Sequence, residues 1–160
     1  MTVNIEPIQS QQDETICAII KAVGAEFGAV GEGFGPSDPE VLAMSQHYSQ
    51  DNKSLYLVAT LNGCIVGGCG IAPFNQSNQT CELKKLFLLP QSRGLGLGKA
   101  LAEQCLDFAN QQGYVQCYLD TLTSMTSAIF LYEKLGFKHL DKPLDGTEHS
   151  RCDVWMLKVF

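Results

Sequence analysis

The 160 residues predict an α/β fold in one domain, residues 1–160, with a central twisted mixed sheet of about six to seven strands flanked by about four helices. Three observations carry that reading. Two apolar runs, Leu55–Leu61 and Ile65–Ile71, meet at Asn62-Gly63, the pair that a two-residue hairpin turn favours because both positions need positive φ. Beyond Pro90 the pattern changes from hairpins to alternating helix and strand, as in βα units. Between the two halves, Leu86-Phe87-Leu88-Leu89 is apolar on both sides, like a strand covered on both faces, and runs into a glycine-rich turn.

The elements follow in order. Val3–Ile8 reads as a strand with Val3 and Ile5 on one face. Ser10, with Asp13 three residues later, resembles a capping box. Ile16, Ile19, Ile20, Val23 and Phe27 then recur at helical spacing over residues 13–27. Four glycines and two prolines make Gly28–Pro39 a loop, and a short helix is expected from Asp38 to Tyr48. After the hairpin comes a polar loop, Asn75–Thr80, and a third strand, Cys81–Leu89, stopped by Pro90. Leu97, Leu101, Cys105 and Phe108 line a helix that ends at Gly113, and Val115, Cys117 and Leu119 alternate along a strand. Met125, Ala128, Leu131 and Leu135 line another helix, closed by Gly136. Phe137–Leu140 and Cys152–Val159 are the last strands.

Composition removes several classes of function. A net charge of −6, with no stripe of Lys or Arg, argues against a nucleic-acid partner. Met-Thr-Val-Asn-Ile-Glu has neither the basic nor the apolar region of a signal peptide, and no apolar run spans a membrane, so a cytoplasmic location is expected. Seven cysteines without a Cys-x-x-Cys pair suit reduced thiols better than disulfides or zinc, and no metal is expected.

The segment carrying most chemistry is Arg93-Gly94-Leu95-Gly96-Leu97-Gly98-Lys99. Glycines between a strand and a helix let the backbone turn its N–H groups toward a ligand, and the helix start adds free donors and the positive end of its dipole; a pyrophosphate suits that cradle. The same glycines also suit a tight turn with close helix packing. A P-loop needs Ser or Thr where Ala100 follows Lys99, and the even glycine spacing past mid-chain departs from a dinucleotide fingerprint.

Arg93-Gly94-Leu95-Gly96-Leu97-Gly98 resembles the Arg/Gln-x-x-Gly-x-Gly/Ala signature of the GCN5-related N-acetyltransferase (GNAT) superfamily. Ala128-Ile129-Phe130-Leu131-Tyr132-Glu133-Lys134-Leu135-Gly136-Phe137 resembles its Ala-x-x-Leu-Tyr-x-x-x-Gly-Phe segment, in the matching order and separation. The likeness is strongest over residues 82–140, and Leu119–Met125 is similar to a subgroup of small bacterial acetyltransferases. The resemblance implies transfer of an acetyl group from acetyl-CoA to a primary amine of a small molecule or peptide, with direct attack by the amine. It implies a strand that splays from its neighbour, pairing the main chain of Phe87 and Leu88 with the pantetheine arm. The pyrophosphate would rest on amides from Arg93 through Lys99, including Gly94, Leu95, Gly96 and Gly98, with charge from Arg93 and Lys99.

Tyr132 matches the family's acid for the departing thiolate; its other reading is a tyrosine packed between sheet and helix. Glu82 matches a base for the amine, or is an edge carboxylate paired with Lys84 or Lys85. Asp120, at a strand end, either orients the amine or caps the following turn. Met125 departs from the family, which places an asparagine there for the pantetheine arm; Ser124, Thr126 or a backbone group is the substitute donor. His47, His139 and His149 are assigned surface or packing roles, although His149 falls in the loop Asp141–Ser150, where the acceptor would bind. That loop, Gly28–Pro39 and the start of the Glu82 strand frame the acceptor site. The rival is a non-catalytic acyl-CoA-binding module, which needs neither Tyr132 nor Glu82. A terminal strand at Cys152–Val159 would offer an edge for a homodimer.

Overall fold

The computed structural model describes residues 1–160. Its strands are β1 (Val3–Pro7), β2 (Leu55–Leu61), β3 (Cys64–Pro73), β4 (Thr80–Leu88), β5 (Gln116–Thr121), β6 (Lys138–Leu140) and β7 (Val154–Val159). Its α-helices are α1 (Asp13–Glu26), α2 (Leu97–Gln111) and α3 (Thr126–Lys134). The seven strands form one sheet in the order β1-β2-β3-β4-β5-β7-β6. All neighbours are antiparallel except β4 and β5.

Alternation along the strands builds two cores. Leu57, Ala59, Cys81 and Leu83 face α2, where Leu97, Leu101 and Cys105 pack on them with Tyr132 and Phe137. Tyr56 and Val58, one residue out of phase, face α1 through Ile16, Ile19, Ile20 and Val23. Burying both faces is what turns the central strands into nearly continuous apolar runs.

Asn62 and Gly63 both have positive φ, 52° and 83°, as a two-residue hairpin turn between Leu61 and Cys64 requires. The capping box lies one residue earlier than expected, between Gln9 and Gln12, ahead of α1. The expected helix at 38–48 is a 3-10 segment, Pro39–Gln46, broken at Ala43. It buries Val41 and Met44, a spacing of three that matches the 3-10 period. Tyr114 is buried where Val115 was expected, and Val115 is exposed. Cys152 precedes β7 instead of opening it, and β7 lies between β5 and β6, so the terminal strand is not a sheet edge.

The feature that positions the site is a bulge in β4. Gly70 pairs with Lys84 but Gly68 pairs with Phe87, so β4 carries one extra residue, and Lys85 takes φ of 58°. A left-handed lysine costs on the order of 1–3 kcal/mol. It is held there by the Tyr56 hydroxyl, which donates to the Lys85 carbonyl at 2.9 Å. The bulge exchanges faces: Cys81 and Leu83 point toward α2 before it, Leu86 and Leu88 after it, and Phe87 points toward α1. β4 and β5 pair only from Thr80 to Glu82 and then separate, so the splay implied by the family likeness is present.

The bulge also requires glycine opposite it. A Cβ on Gly67 would lie 2.1 Å from the Phe87 carbonyl oxygen and 2.8 Å from a Leu88 methyl. Gly67→Ala is therefore expected to cost about 3 kcal/mol of unfolding free energy in urea. Gly98→Ala, whose Cβ would meet Leu88 and Leu131 at 3.5 and 3.6 Å, is expected to cost almost nothing. Equal stability of the two variants would show that β3 and β4 are not so close.

Candidate active site

Where β4 and β5 part, two cavities open. The larger, about 630 Å³, runs along the glycine turn and α3. Gly94 and Gly96 have φ of 77° and 79°, which frees the turn from the steric limit on other residues. Ala100 makes the first intrahelical bond of α2, to the Gly96 carbonyl at 3.0 Å. The amides of Gly94, Leu95 and Gly96 make no main-chain bond, and those of Leu97, Gly98 and Lys99 are the unpaired donors of the first turn. This is a cradle for an anion.

Charge enters the cradle differently from the expectation. Arg93 is turned onto Glu26 at 2.6 and 2.8 Å, and it also donates to the Leu88 carbonyl at 3.1 and 2.9 Å. It stacks 5.2 Å over Phe27. The guanidinium thus braces the turn against the end of α1, while Lys99, exposed and 3.8 Å from Glu103, and Lys134 line the groove.

The main chain of β4 is also shifted by the bulge. Leu89 N–H donates to the Val66 carbonyl at 2.8 Å, so alternation turns Phe87's polar groups toward β3 and those of Leu86 and Leu88 toward the open side. Leu86 and Leu88 line the groove; Phe87 lines the smaller cavity. The main-chain groups on the open side are therefore those of Leu86 and Leu88, where those of Phe87 and Leu88 were expected. Ser124 donates to the Phe27 carbonyl at 2.9 Å, so its hydroxyl is already committed. Met125 accepts from Thr121 Oγ1 at 3.4 Å and lines both cavities.

The smaller cavity, about 70 Å³, holds Glu82 and Asp120 together with Tyr132. Tyr132 is buried, and burial pushes its hydroxyl well above the usual tyrosine range, so it stays a proton donor. Asp120 does more than cap a turn: it accepts from His149 Nδ1 at 2.7 Å, from Tyr118 at 3.2 Å and from Thr147. Glu82 is not paired with Lys84 or Lys85. Those cations reach back to the Gly/Pro loop and the segment after it, Lys84 to Glu40 at 3.0 Å and Lys85 to Asp38 at 2.7 Å.

His149 corrects the surface or packing role expected of it. It is 5% exposed at the centre of the cluster, with Nε2 2.7 Å from Asp38 and Nδ1 2.7 Å from Asp120 and 3.5 Å from Glu82. His47 and His139 are exposed, as expected. Burial alone would depress the imidazole, but Asp120, Asp38 and Glu82 outweigh it and push His149 up to about 11. Burial likewise would raise Asp38, yet His149 and Lys85 hold it down at about 2. The imidazole is therefore a doubly protonated tie between the loop at 38 and the end of β5. Glu82, Asp120 and His149 lie close enough to share a cation, but both imidazole nitrogens are already engaged by carboxylates.

Asp38, Leu86 and Thr147 carry no mark of their own in the sequence, and Lys85 is marked there only as a partner for Glu82. The signal was Lys84-Lys85 inside an otherwise apolar strand, which calls for buried counter-ions; Asp38 and Glu40 supply them.

A groove lined by the glycine turn thus meets a cavity holding Glu82, Asp120 and Tyr132 where the sheet splits. Residues 24–137 match the acetyltransferase (GNAT) family, and the chain belongs to it. It is 41% identical over 150 residues to the uncharacterised N-acetyltransferase YjgM of Escherichia coli, across 92% of this chain and 89% of that one. A GNAT-family acetyltransferase from Staphylococcus aureus has the same fold, with a TM-score of 0.81 at 21% identity over 99% of both chains. So does YncA of Salmonella typhimurium, solved with its cofactor acetyl-CoA, at a TM-score of 0.79 and 20% identity over 99% and 94% of the two chains.

The shifted groups set a pH test. His149, raised from 6.5 to about 11, contributes stability that is complete below pH 6.5 and lost as pH rises toward 11. Asp38, lowered from 3.8 to about 2, contributes above pH 3.8 and loses its contribution as pH falls toward 2. The stability lost in His149→Gln, measured by urea unfolding, is expected to peak between pH 3.8 and 6.5 and to shrink on both sides. A difference that stays constant with pH would mean that the folded imidazole is not held charged.

Proposed function

We propose that this chain is an acetyl-CoA-dependent N-acetyltransferase in which the amine attacks the thioester directly, with Glu82 as base, Tyr132 as acid and Asp120 as an orienting group. The observation that carries the reading is the junction of the two cavities. Leu86 and Met125 line both, Tyr132 and Glu82 line the smaller, and the free amides of the glycine turn line the larger. A donor lying along the groove, as acetyl-CoA would, brings its reactive carbon to that junction.

The steps follow from the groups present. The carboxylate of Glu82 accepts a proton from the ammonium form of the acceptor. The freed nitrogen lone pair forms the N–C bond at the thioester carbonyl, whose C=O π pair moves onto oxygen; the adduct nitrogen then gives its surplus proton to solvent as the carbonyl re-forms and the C–S bond breaks. Tyr132 gives its proton to the departing sulfur, and solvent returns it. A cysteine-bound intermediate is disfavoured by the thiols themselves: Cys81 and Cys117 are fully buried, and burial with Asp120 nearby pushes the Cys152 thiol well above its ordinary range. One domain carries both donor and acceptor halves. Within that domain, no helix is long and apolar enough to cross a membrane.

Thiol release from acetyl-CoA against a panel of amines tests the roles. Tyr132→Phe is expected to lower kcat by about 10²–10⁴-fold with little change in the KM for acetyl-CoA. Glu82→Gln should lose activity at neutral pH and regain part of it as pH rises and more amine is already deprotonated. Saturable acetyl-CoA binding without any amine-dependent release would make the chain a binding module. Full turnover in both variants would remove the two side chains from the mechanism.

A further inference from the structure

The charges of the acceptor cavity are almost all spent on one another. Three cations line it or reach into it, Lys84, Lys85 and His149, and each is bound to a carboxylate of the chain: Glu40 at 3.0 Å, Asp38 at 2.7 Å, and Asp38 with Asp120 at 2.7 Å each. Four carboxylates face these three cations, and the one held most weakly is Glu82. Its side chain is 10% exposed, its nearest cationic contact is His149 Nδ1 at 3.5 Å, and that nitrogen donates to Asp120 instead. The cavity thus offers an approaching molecule an excess of one carboxylate, most weakly held at nine-tenths buried Glu82, and no unpaired cation. The remaining wall is apolar, with Ala29, Phe34, Pro36 and Leu122. Arg151 packs on this wall without an ion pair, 5.0 Å over the Phe34 ring, but it is exposed and does not line the cavity.

A carboxylate brought into such a site would be desolvated beside Glu82 without a counter-ion, and like charges in a dry cavity repel strongly. An ammonium group meets the opposite situation. Resting on the acetyltransferase reading above, we propose that the acceptor is a small primary amine with no carboxylate beside its amino group, and that free α-amino acids are excluded. Discrimination of this kind comes from the penalty against the wrong ligand as much as from contacts with the right one.

The test uses pairs that differ only in that carboxylate: glycinamide and glycine, alaninamide and alanine, phenethylamine and phenylalanine. Two readouts are taken, thiol release from acetyl-CoA and calorimetric binding to the CoA-loaded protein. Binding reports on acceptor choice even if catalysis fails, which separates this inference from the acetyltransferase reading. The carboxylate-free member of each pair is expected to be favoured at least tenfold in kcat/KM and in affinity. Equal or reversed preference would overturn the inference, as would binding of neither member. Glu40→Gln, which leaves Lys84 without its counter-ion, is expected to narrow the gap severalfold. An unchanged gap in that variant would show that the paired cations are not its cause.

Discussion

The extra residue at Lys85 is the constraint on which the rest of the molecule depends. Without it, β4 would continue with Leu83 and Lys85 on one face and Lys84 and Leu86 on the other, leaving a charge in each core. With it, both lysines lie on the face of Asp38 and Glu40, while Leu86 and Leu88 rejoin the core beneath α2. The same kink ends the pairing of β4 with β5 after Glu82. A single left-handed residue thus opens the groove, sets which main-chain groups line it and places the cation that anchors the loop above. The strain is countered from three sides: the Tyr56 hydroxyl on the carbonyl, Asp38 on Nζ and the absence of a side chain at Gly67.

Asp38 links that backbone feature to the acceptor side. It lies at the end of the Gly/Pro loop, and its carboxylate engages both Lys85 and His149. Phe34, Gly35 and Pro36 of the same loop form part of the acceptor wall. The wall is therefore held by these charges together with the burial of Ala29, Phe34 and Pro36. Removing one partner of such a buried pair typically costs about 3–5 kcal/mol. The imidazolium of His149 extends the tie to Asp120, so the loop, β4 and β5 are held in register around Glu82. An imidazole held in this state is a poor base, in keeping with the proposed transfer of the proton to Glu82.

The fold was legible because its signals are local and repetitive. Helical spacing in α1, α2 and α3, the Asn62-Gly63 turn and the stop at Pro90 each act over a few residues, and the elements follow them closely. The glycine turn was legible for the same reason, since Gly94 and Gly96 act through their own φ. Arg93 and Phe87 were placed less well because their roles depend on distant partners: Glu26 and Phe27 draw Arg93 away from the turn, and the bulge rotates Phe87 toward β3. His149 was the largest miss. Nothing in the residues around it marks burial; only the meeting of Asp38 and Asp120, 111 and 29 residues away, makes it central.

This division explains why the donor can be read across the family and the acceptor cannot. The donor half is written mainly in main-chain groups, the amides of Gly94–Lys99 and the open edge of Leu86 and Leu88. A backbone surface survives wide divergence, because most side-chain changes leave it in place. The acceptor half is written in side chains on two loops, tied by charges that cross from one element to another. Replacing Asp38 or Glu40 would leave the sheet intact yet free a lysine in the cavity, changing what the pocket tolerates without changing the fold. On the proposal above, acceptor choice in this chain follows the internal charge that is held most weakly, that of Glu82.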